Sequence, residues 1–291
     1  MFKKVMPFFL SVLLLMSIVP IVALADASVG DVIVTLGEDL SEKQKQNLLE
    51  EMEAPKDALT VTVSNEEEHK YLGDYISNAL IGTRALSSSS ITIGEKDAGL
   101  SVETQNINWV TDEMYANALI TAGVKDADIY VTAPTEVSGT AALTGLIKAY
   151  ELSSDEVIPE EQKQVANEEL VTTAKLSDSI GADKATELMT KIKDEIATDP
   201  PETKEDLRDL IKRIASDSGI ELTQEELDGL VSLFNRMKNL DIDWEQMQSQ
   251  LENARENLDE FLNKEETQSF IKKIIDFFIA LIDGIKGVFQ S

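Results

Sequence analysis

Short apolar runs alternate with helical patterns along the first half of the chain. Residues 32–35 and 59–63 are rich in β-branched side chains, which predicts two buried strands. Ser41 followed by Gln44 matches a capping box and predicts a helix after the first strand, and residues 66–76 match a second helix. Strands that alternate with crossover helices predict some parallel pairing in a helix-covered sheet.

The following segments predict antiparallel pairing as well. Residues 91–93 and 100–104 flank a connection bounded by two glycines, and the second run alternates apolar with polar side chains, which predicts a hairpin. A strand is predicted over residues 128–132, broken after it by Pro134, and a helix over residues 141–150. Strand pairs of both directions predict a mixed sheet.

Helical periodicity continues almost without interruption through the second half of the chain. Ser153 with Glu156, and Thr223 with Glu226, match capping boxes at two helix starts. Thr223 is followed by apolar side chains spaced three and four residues apart, and another helical pattern covers residues 244–262. The sequence therefore predicts a second half built from helices alone.

Together these patterns predict an α+β fold in three segments. Residues 1–25 form a signal peptide, residues 26–152 an N-terminal mixed α/β sheet domain, and residues 153–291 an all-helical C-terminal region. The region ends in an amphipathic helix over residues 270–289, which packs internally or binds a membrane surface or partner helix, and is too polar to span a bilayer.

The first segment has the three parts of a secretory signal. Lys3 and Lys4 precede an apolar run over residues 5–24, and the sequence Ala-Leu-Ala at residues 23–25 predicts cleavage before Asp26. A retained membrane anchor is the less supported alternative, because two prolines interrupt the run and no stop-transfer pattern follows. We expect an extracellular or cell-envelope protein without a transmembrane anchor after signal cleavage.

Composition narrows the possible functions. The chain has 54 acidic and 26 basic residues and a net charge of −28, so we expect no binding to nucleic acid or anionic lipid. It has no cysteine, which excludes disulfides, thiolate metal ligands and a lipid-modified cysteine, and which suits a Gram-positive bacterial exoprotein. With 43% hydrophobic residues it has enough apolar material for a folded core.

Motifs for familiar catalytic chemistry are absent from the sequence. His69 is the single histidine and follows three glutamates, so a surface histidine is a better interpretation than a catalytic base, and a two-histidine zinc site is excluded. The nucleophile elbow, the dinucleotide fingerprint and the P-loop are missing, so no cofactor is expected. Acid clusters predict weak, diffuse calcium association rather than a built metal site.

Two segments carry candidate ligand-binding residues. Arg84 is the only arginine before residue 208, and its guanidinium could hold a ligand carboxylate through two hydrogen bonds; the alternative is a structural tether to a neighbouring acid. Ser138, Gly139 and Thr140 lie between a predicted strand and helix, where free backbone N–H groups could hold an anion; the alternative is simple helix capping.

Several segments also carry a family resemblance. They are residues 30–37 (GDVIVTLG), 71–73 (YLG), 81–85 (IGTRA), 111–115 (TDEMY) and, most distinctive, 131–146 (VTAPTEVSGTAALTGL). Together they resemble the YpuA-like family of secreted bacterial proteins of unknown function. The resemblance implies export and implies no activity, cofactor or catalytic residue.

The leading functional hypothesis is a non-enzymatic protein that binds a cell-wall component, another exported protein or divalent cations through its α/β half. The alternative is an extracellular hydrolase that uses carboxylates, with Arg84 orienting an acidic substrate. It predicts a pocket near Arg84 with two carboxyl groups, at least one with a strongly shifted pKa. Attachment to a membrane surface through the C-terminal segment is a third hypothesis.

Overall fold

A computed structural model describes residues 28–154 and 157–263 of the chain, with the backbone alone described for residues 254–263. The predicted signal peptide and the amphipathic segment over residues 270–289 lie outside this part. Within it, no helix has the length and apolar character needed to cross a bilayer.

Five strands in the described part of the chain form one mixed sheet. Along the chain they are β1 (Val32–Gly37), β2 (Leu59–Val63), β3 (Ser88–Ile93), β4 (Leu100–Ile107) and β5 (Ala127–Val137). Their order across the sheet is β2-β1-β3-β5-β4. β1 is parallel to β2 and β4 is parallel to β5, whereas β3 is antiparallel to both of its neighbours. The predicted mixed sheet is therefore confirmed.

The helices follow the predicted distribution, because the second half of the described chain is helical. Within the sheet half they are α1 (Glu42–Glu51), α2 (Asn65–Leu72), α3 (Asn78–Ile81), α4 (Asp112–Ala122) and α5 (Thr140–Ser154). After it they are α6 (Glu160–Ile180), α7 (Ala182–Thr198), α8 (Lys204–Asp217), α9 (Gln224–Lys238) and α10 (Trp244–Asn263). The α+β class predicted from the sequence is confirmed.

Local capping signals position several of these helices. The capping boxes predicted at Ser41 and Thr223 are both present, with Gln44 and Glu226 as the reciprocal partners. The capping box predicted at Ser153 is wrong, because Ser153 lies in the last turn of α5, where its hydroxyl donates to the backbone oxygen of Tyr150 at 2.8 Å. The next helix, α6, begins at Glu160, directly after Pro159.

The predicted hairpin between β3 and β4 is wrong, because β5 lies between the two strands. The connecting loop crosses the start of β5, where the Asp126 backbone oxygen accepts from Gly94 N at 2.6 Å and its side chain accepts from Gly99 N at 2.9 Å. Six residues between two strands are enough to step over a neighbour about 5 Å away. Alternation along β4 correctly indicated one buried face, but it does not identify the strand that pairs with it.

Pro134 does not end the fifth strand, which continues to Val137. Thr132 is the last residue of β5 that pairs with β3, so Pro134 lies where one side of β5 has no neighbouring strand. A proline without an N–H is tolerated at such an edge. On the other side, a register irregularity between Gln105 and Ile107 adjusts the pairing with β4.

The sheet separates two apolar layers. α4 and α5 cover one face. Ile91 and Val131 of the sheet and Leu143 of α5 are buried in this layer. α1 covers part of the opposite face, where Leu48 packs with Val34. α6 and α10 also contribute side chains to the first layer, so residues from the second half of the chain share the core beneath the sheet.

A buried ion pair connects the helix α4 with α6 and α7. Lys193 of α7 and Glu169 of α6 are fully buried and in direct contact. From α4, the backbone oxygen of Asn117 accepts from Lys193 Nζ at 2.9 Å, and Thr121 donates to Glu169 Oε2 at 2.5 Å. Burial raises the pKa of Glu169 and lowers that of Lys193, and the attraction between the two charges opposes both changes.

Candidate functional site

The edge of the sheet at the carboxyl ends of its parallel strands brings the candidate segments together. β1, β2, β4 and β5 all end at this edge, and the antiparallel β3 begins there. The helices that follow β1 and β5 lie on opposite faces of the sheet, an arrangement that positions ligand sites in many α/β proteins. Arg84 precedes β3 and residues 138–140 follow β5, so both lie at this carboxyl edge.

The loop that carries Arg84 is fixed on both sides of that residue. On one side, His69 Nε2 lies 3.3 Å from the backbone oxygen of Gly82. On the other side, Ala85 N donates to Asp39 Oδ2 at 2.8 Å, and Asp39 N donates back to the Ala85 oxygen at 3.2 Å. Ala85 is fully buried, so the backbone next to Arg84 has little freedom to move.

The Arg84 side chain itself is exposed and makes no ion pair or hydrogen bond with any described residue. The tether predicted as its alternative role is therefore not present in this part of the chain. The other arginines with described side chains each pair with an acid: Arg208 with Asp228, Arg213 with Glu195, and Arg236 with Glu168. Arg84 differs from them in having no acid partner among the described residues.

The turn over residues 138–140 is packed between β4, α4 and α5. Gly139 has φ +93°, and its backbone oxygen accepts a short hydrogen bond from the Tyr115 hydroxyl. A Cβ at Gly139 would lie 2.5 Å from both that hydroxyl and Ile107 Cγ2. Thr140 is buried, and only Ser138 is half-buried. This packing favours the structural alternative, in which the turn starts α5.

Glu68 of α2 is a buried carboxyl group at the same edge, and sequence reasoning missed it. Its side chain is buried, and Asn65 Nδ2 donates to Glu68 Oε2 at 2.9 Å. The pKa of Glu68 is raised to about 7, mainly by burial and also by the negative charge of Asp39, while the Asn65 hydrogen bond opposes both. Glu68 also contributes to the raised pKa of Tyr115, whose hydroxyl contacts Gly139.

A signal for Glu68 was present in the sequence. The run Glu66–Glu67–Glu68 suggests a solvated face, but Glu68 lies four residues before Leu72, which is fully buried. Residues four apart share one face of a helix, so the position of Leu72 indicates that Glu68 points inward.

A cavity of about 450 Å³ lies away from this edge, at the loop between α8 and α9. Lys212, Ile220, Glu221 and Leu227 are among its lining residues, and Arg84 is not. Among the described residues, no three histidine, aspartate or glutamate side chains are grouped closely enough to hold a metal ion.

Comparisons with known proteins place the chain in a family. Residues 36–254 match the model of the family described as "Protein of unknown function (DUF1002)", and the chain belongs to that family. It is 57% identical over 289 residues to the "Uncharacterized protein YpuA" of Bacillus subtilis (strain 168), covering 99% of this chain and all of the relative. These findings confirm the family resemblance seen in the sequence. The comparison with solved structures gave no match.

Proposed function

We propose that this chain is an exported protein of the cell envelope that acts by binding rather than by catalysis. In this proposal, Arg84 holds an acidic group of a cell-wall component, either a carboxylate or a phosphate. The observation that carries it is the exposed, unpaired guanidinium of Arg84 on a loop with fixed ends, whereas every other arginine with a described side chain is paired with an acid.

The negative net charge of the chain makes the positive charge of Arg84 important for binding an acidic ligand. A chain of net charge −28 repels acidic polymers at long range, and salt at physiological strength screens that repulsion beyond about 8 Å. Inside that distance, a guanidinium offers two parallel hydrogen bonds to a carboxylate or phosphate. The loop contacts at Gly82 and Ala85 hold the backbone in place and reduce the entropy that is lost on binding.

Retention on purified cell walls tests the proposal. We expect saturable binding of residues 26–291 to walls from which proteins have been stripped, and a loss of roughly tenfold in affinity for Arg84→Ala. Arg84→Lys keeps the charge but loses the paired hydrogen bonds, so it is expected to restore only part of the binding. Walls stripped of phosphate polymers distinguish a phosphate ligand from a carboxylate ligand.

Arg213→Ala is the matched control. Arg213 is also exposed, and it pairs with Glu195 at 3.3 Å. Replacing it by alanine removes one positive charge, as Arg84→Ala does. Retention that is equal in the Arg84 and Arg213 variants would contradict a specific contact at Arg84. Binding only to unstripped walls would assign the ligand to another exported protein.

A carboxylate-dependent hydrolase is the second candidate function, and Glu68 is the observation that favours it. A carboxyl group with a pKa of about 7 next to Asp39 has the proton affinity of a general acid near neutral pH. Release of soluble fragments from labelled walls, abolished by Glu68→Gln and retained in Glu66→Gln, would support this candidate over binding alone.

A further inference from the structure

Among the described residues, helices cover one face of the sheet only in part. α1 covers this face over β1 and reaches β5 through Glu51, while β4 and the neighbouring part of β5 stay open. Along β4 the side chains alternate between exposed and partly buried, as expected for a strand with one face in solvent. We call this surface the open face; its members are Ser101, Glu103, Gln105, Asp128 and Tyr130.

The charge of the open face has a single sign. β3, β4 and β5 contain Glu103, Asp128 and Glu136 and neither lysine nor arginine. Glu51 of α1 adds a further exposed carboxylate at the border of the face. In the strand register Glu103 lies opposite Tyr130, and Asp128 precedes Tyr130 by two residues on the same side of β5. Carboxylates thus surround one aromatic ring.

Tyr130 is held in place at its hydroxyl. The Tyr130 oxygen lies 3.0 Å from Glu51 Oε1 and 2.5 Å from Gln105 Oε1. A phenol has one hydrogen to donate, so the Tyr130 hydroxyl donates to one of these two acceptor oxygens at a time. Glu51 also accepts from the buried Thr132 at 2.6 Å. The half-buried ring is therefore fixed before any partner arrives.

The hydroxyl remains neutral under ordinary conditions. Partial burial, the hydrogen bond to Glu51 and the negative charges of Glu51 and Glu103 together raise the pKa of Tyr130 to about 12. A neutral phenol ring keeps the electron-rich face that attracts organic cations, while the carboxylates around it remain available for ion pairs.

We propose that the open face docks a basic, extended segment of another exported protein, with an arginine or lysine side chain on the Tyr130 ring. Charge complementarity selects this partner, because the face offers carboxylates around a fixed aromatic ring and its strands have no basic residue. A second copy of this chain, at net charge −28, is repelled by the same face. The proposal goes beyond the contact at Arg84 and does not depend on it.

Fluorescence anisotropy with residues 26–291 tests this docking surface. The probe is a short labelled peptide in which arginine alternates with serine, which matches the two-residue repeat along a strand. The reference probe has glutamine in place of arginine. We expect saturable binding of the arginine peptide that weakens between about 20 mM and about 150 mM salt, and no saturable binding of the glutamine peptide.

Matched variants distinguish binding at the open face from a general effect of the net charge. The triple variant Glu51→Gln, Glu103→Gln, Asp128→Asn is expected to weaken binding by roughly tenfold or more. The control triple Asp199→Asn, Glu202→Gln, Asp209→Asn removes the same charge from exposed positions in the helical half, with an expected change of about twofold or less. Tyr130→Phe is expected to bind nearly as the wild type, and Tyr130→Leu to lose affinity.

Three results would overturn the proposal. The first is equal weakening by the two triple variants, which assigns the attraction to net charge. The second is unchanged affinity in Tyr130→Leu with unaltered thermal unfolding. The third is self-association of the chain that the open-face substitutions abolish, which assigns the surface to a second copy.

Discussion

Replacing Glu68 by glutamine is expected to stabilise the protein at neutral pH and to leave it nearly unchanged at acidic pH. Glu68 is buried, and its pKa is raised from 4.5 to about 7, so the folded state binds its proton more tightly than the unfolded state does. The contribution of this group to stability is fully present below pH 4.5 and is lost as the pH rises towards 7. Glutamine stays neutral at every pH and keeps an oxygen for the Asn65 amide.

The size of the effect follows from the two pKa values. A pKa raised from 4.5 to about 7 lowers the free energy of unfolding, relative to its value at acidic pH, by about 3 kcal/mol above pH 7 and by about 2 kcal/mol near pH 6. The Glu68→Gln variant avoids this loss. The quantity to compare is therefore the free energy of unfolding of the variant minus that of the wild type, measured by urea denaturation at several pH values between about 5 and 8.

Glu66→Gln is the control for this comparison. Glu66 lies on the same helix but is exposed, so its replacement is expected to change the free energy of unfolding by about 0.5 kcal/mol or less at every pH. A difference between Glu68→Gln and wild type that does not vary with pH would refute the reasoning. So would a variant that is less stable than the wild type at pH 8.

Two further substitutions test the packing around the sheet. Lys193→Met is expected to cost about 3–5 kcal/mol in urea denaturation, because it leaves the buried Glu169 without a counter-charge, and adding Glu169→Leu is expected to recover most of that loss. Lys191→Met removes the exposed pair with Glu187 and is expected to cost about 0.5 kcal/mol; equal costs for the two lysines would contradict the buried pair. Gly139→Ala is expected to cost about 2–5 kcal/mol, since its Cβ would meet Tyr115 and Ile107 at 2.5 Å in a backbone with positive φ. Gly30→Ala also has positive φ but meets no atom within 4 Å, so its cost is expected to be about 1–2 kcal/mol; similar costs at both glycines would refute the close packing at Gly139.

Local signals in the sequence predicted local structure well. The capping boxes at Ser41 and Thr223 were found because all the interacting atoms lie within four residues. The buried apolar side of α9 was found for the same reason, since its side chains repeat at helical spacing. These signals were sufficient for the fold class and for several helix starts.

Long-range pairing was the part that the sequence did not determine. The alternation in β4 indicated a half-buried strand, but only the insertion of β5 between β3 and β4 decides its partner. Pro134 was interpreted as a strand end because the lack of a neighbouring strand beyond Thr132 is a property of the whole sheet. A one-dimensional pattern contains no information on which edge of a strand is occupied.

The candidate site, like the fold, could be predicted from the sequence only in part. Arg84 was selected because it is rare in the sequence, whereas its exposure and lack of a partner became visible only in the fold. Glu68, Glu169 and Lys193 were missed because charged residues in helices are normally solvated. Lys193 and Glu169 are buried against α4, an element distant in sequence, through Asn117 and Thr121.

The central claim is that the chain works outside the membrane after losing its first segment. Mass spectrometry of the protein recovered separately from the culture medium, the envelope and the cytoplasm of bacteria that express the full chain tests this directly. We predict a polypeptide that begins at Asp26 in the envelope or medium. Intact protein that retains residues 1–25 and accumulates in the cytoplasm would contradict the proposed function.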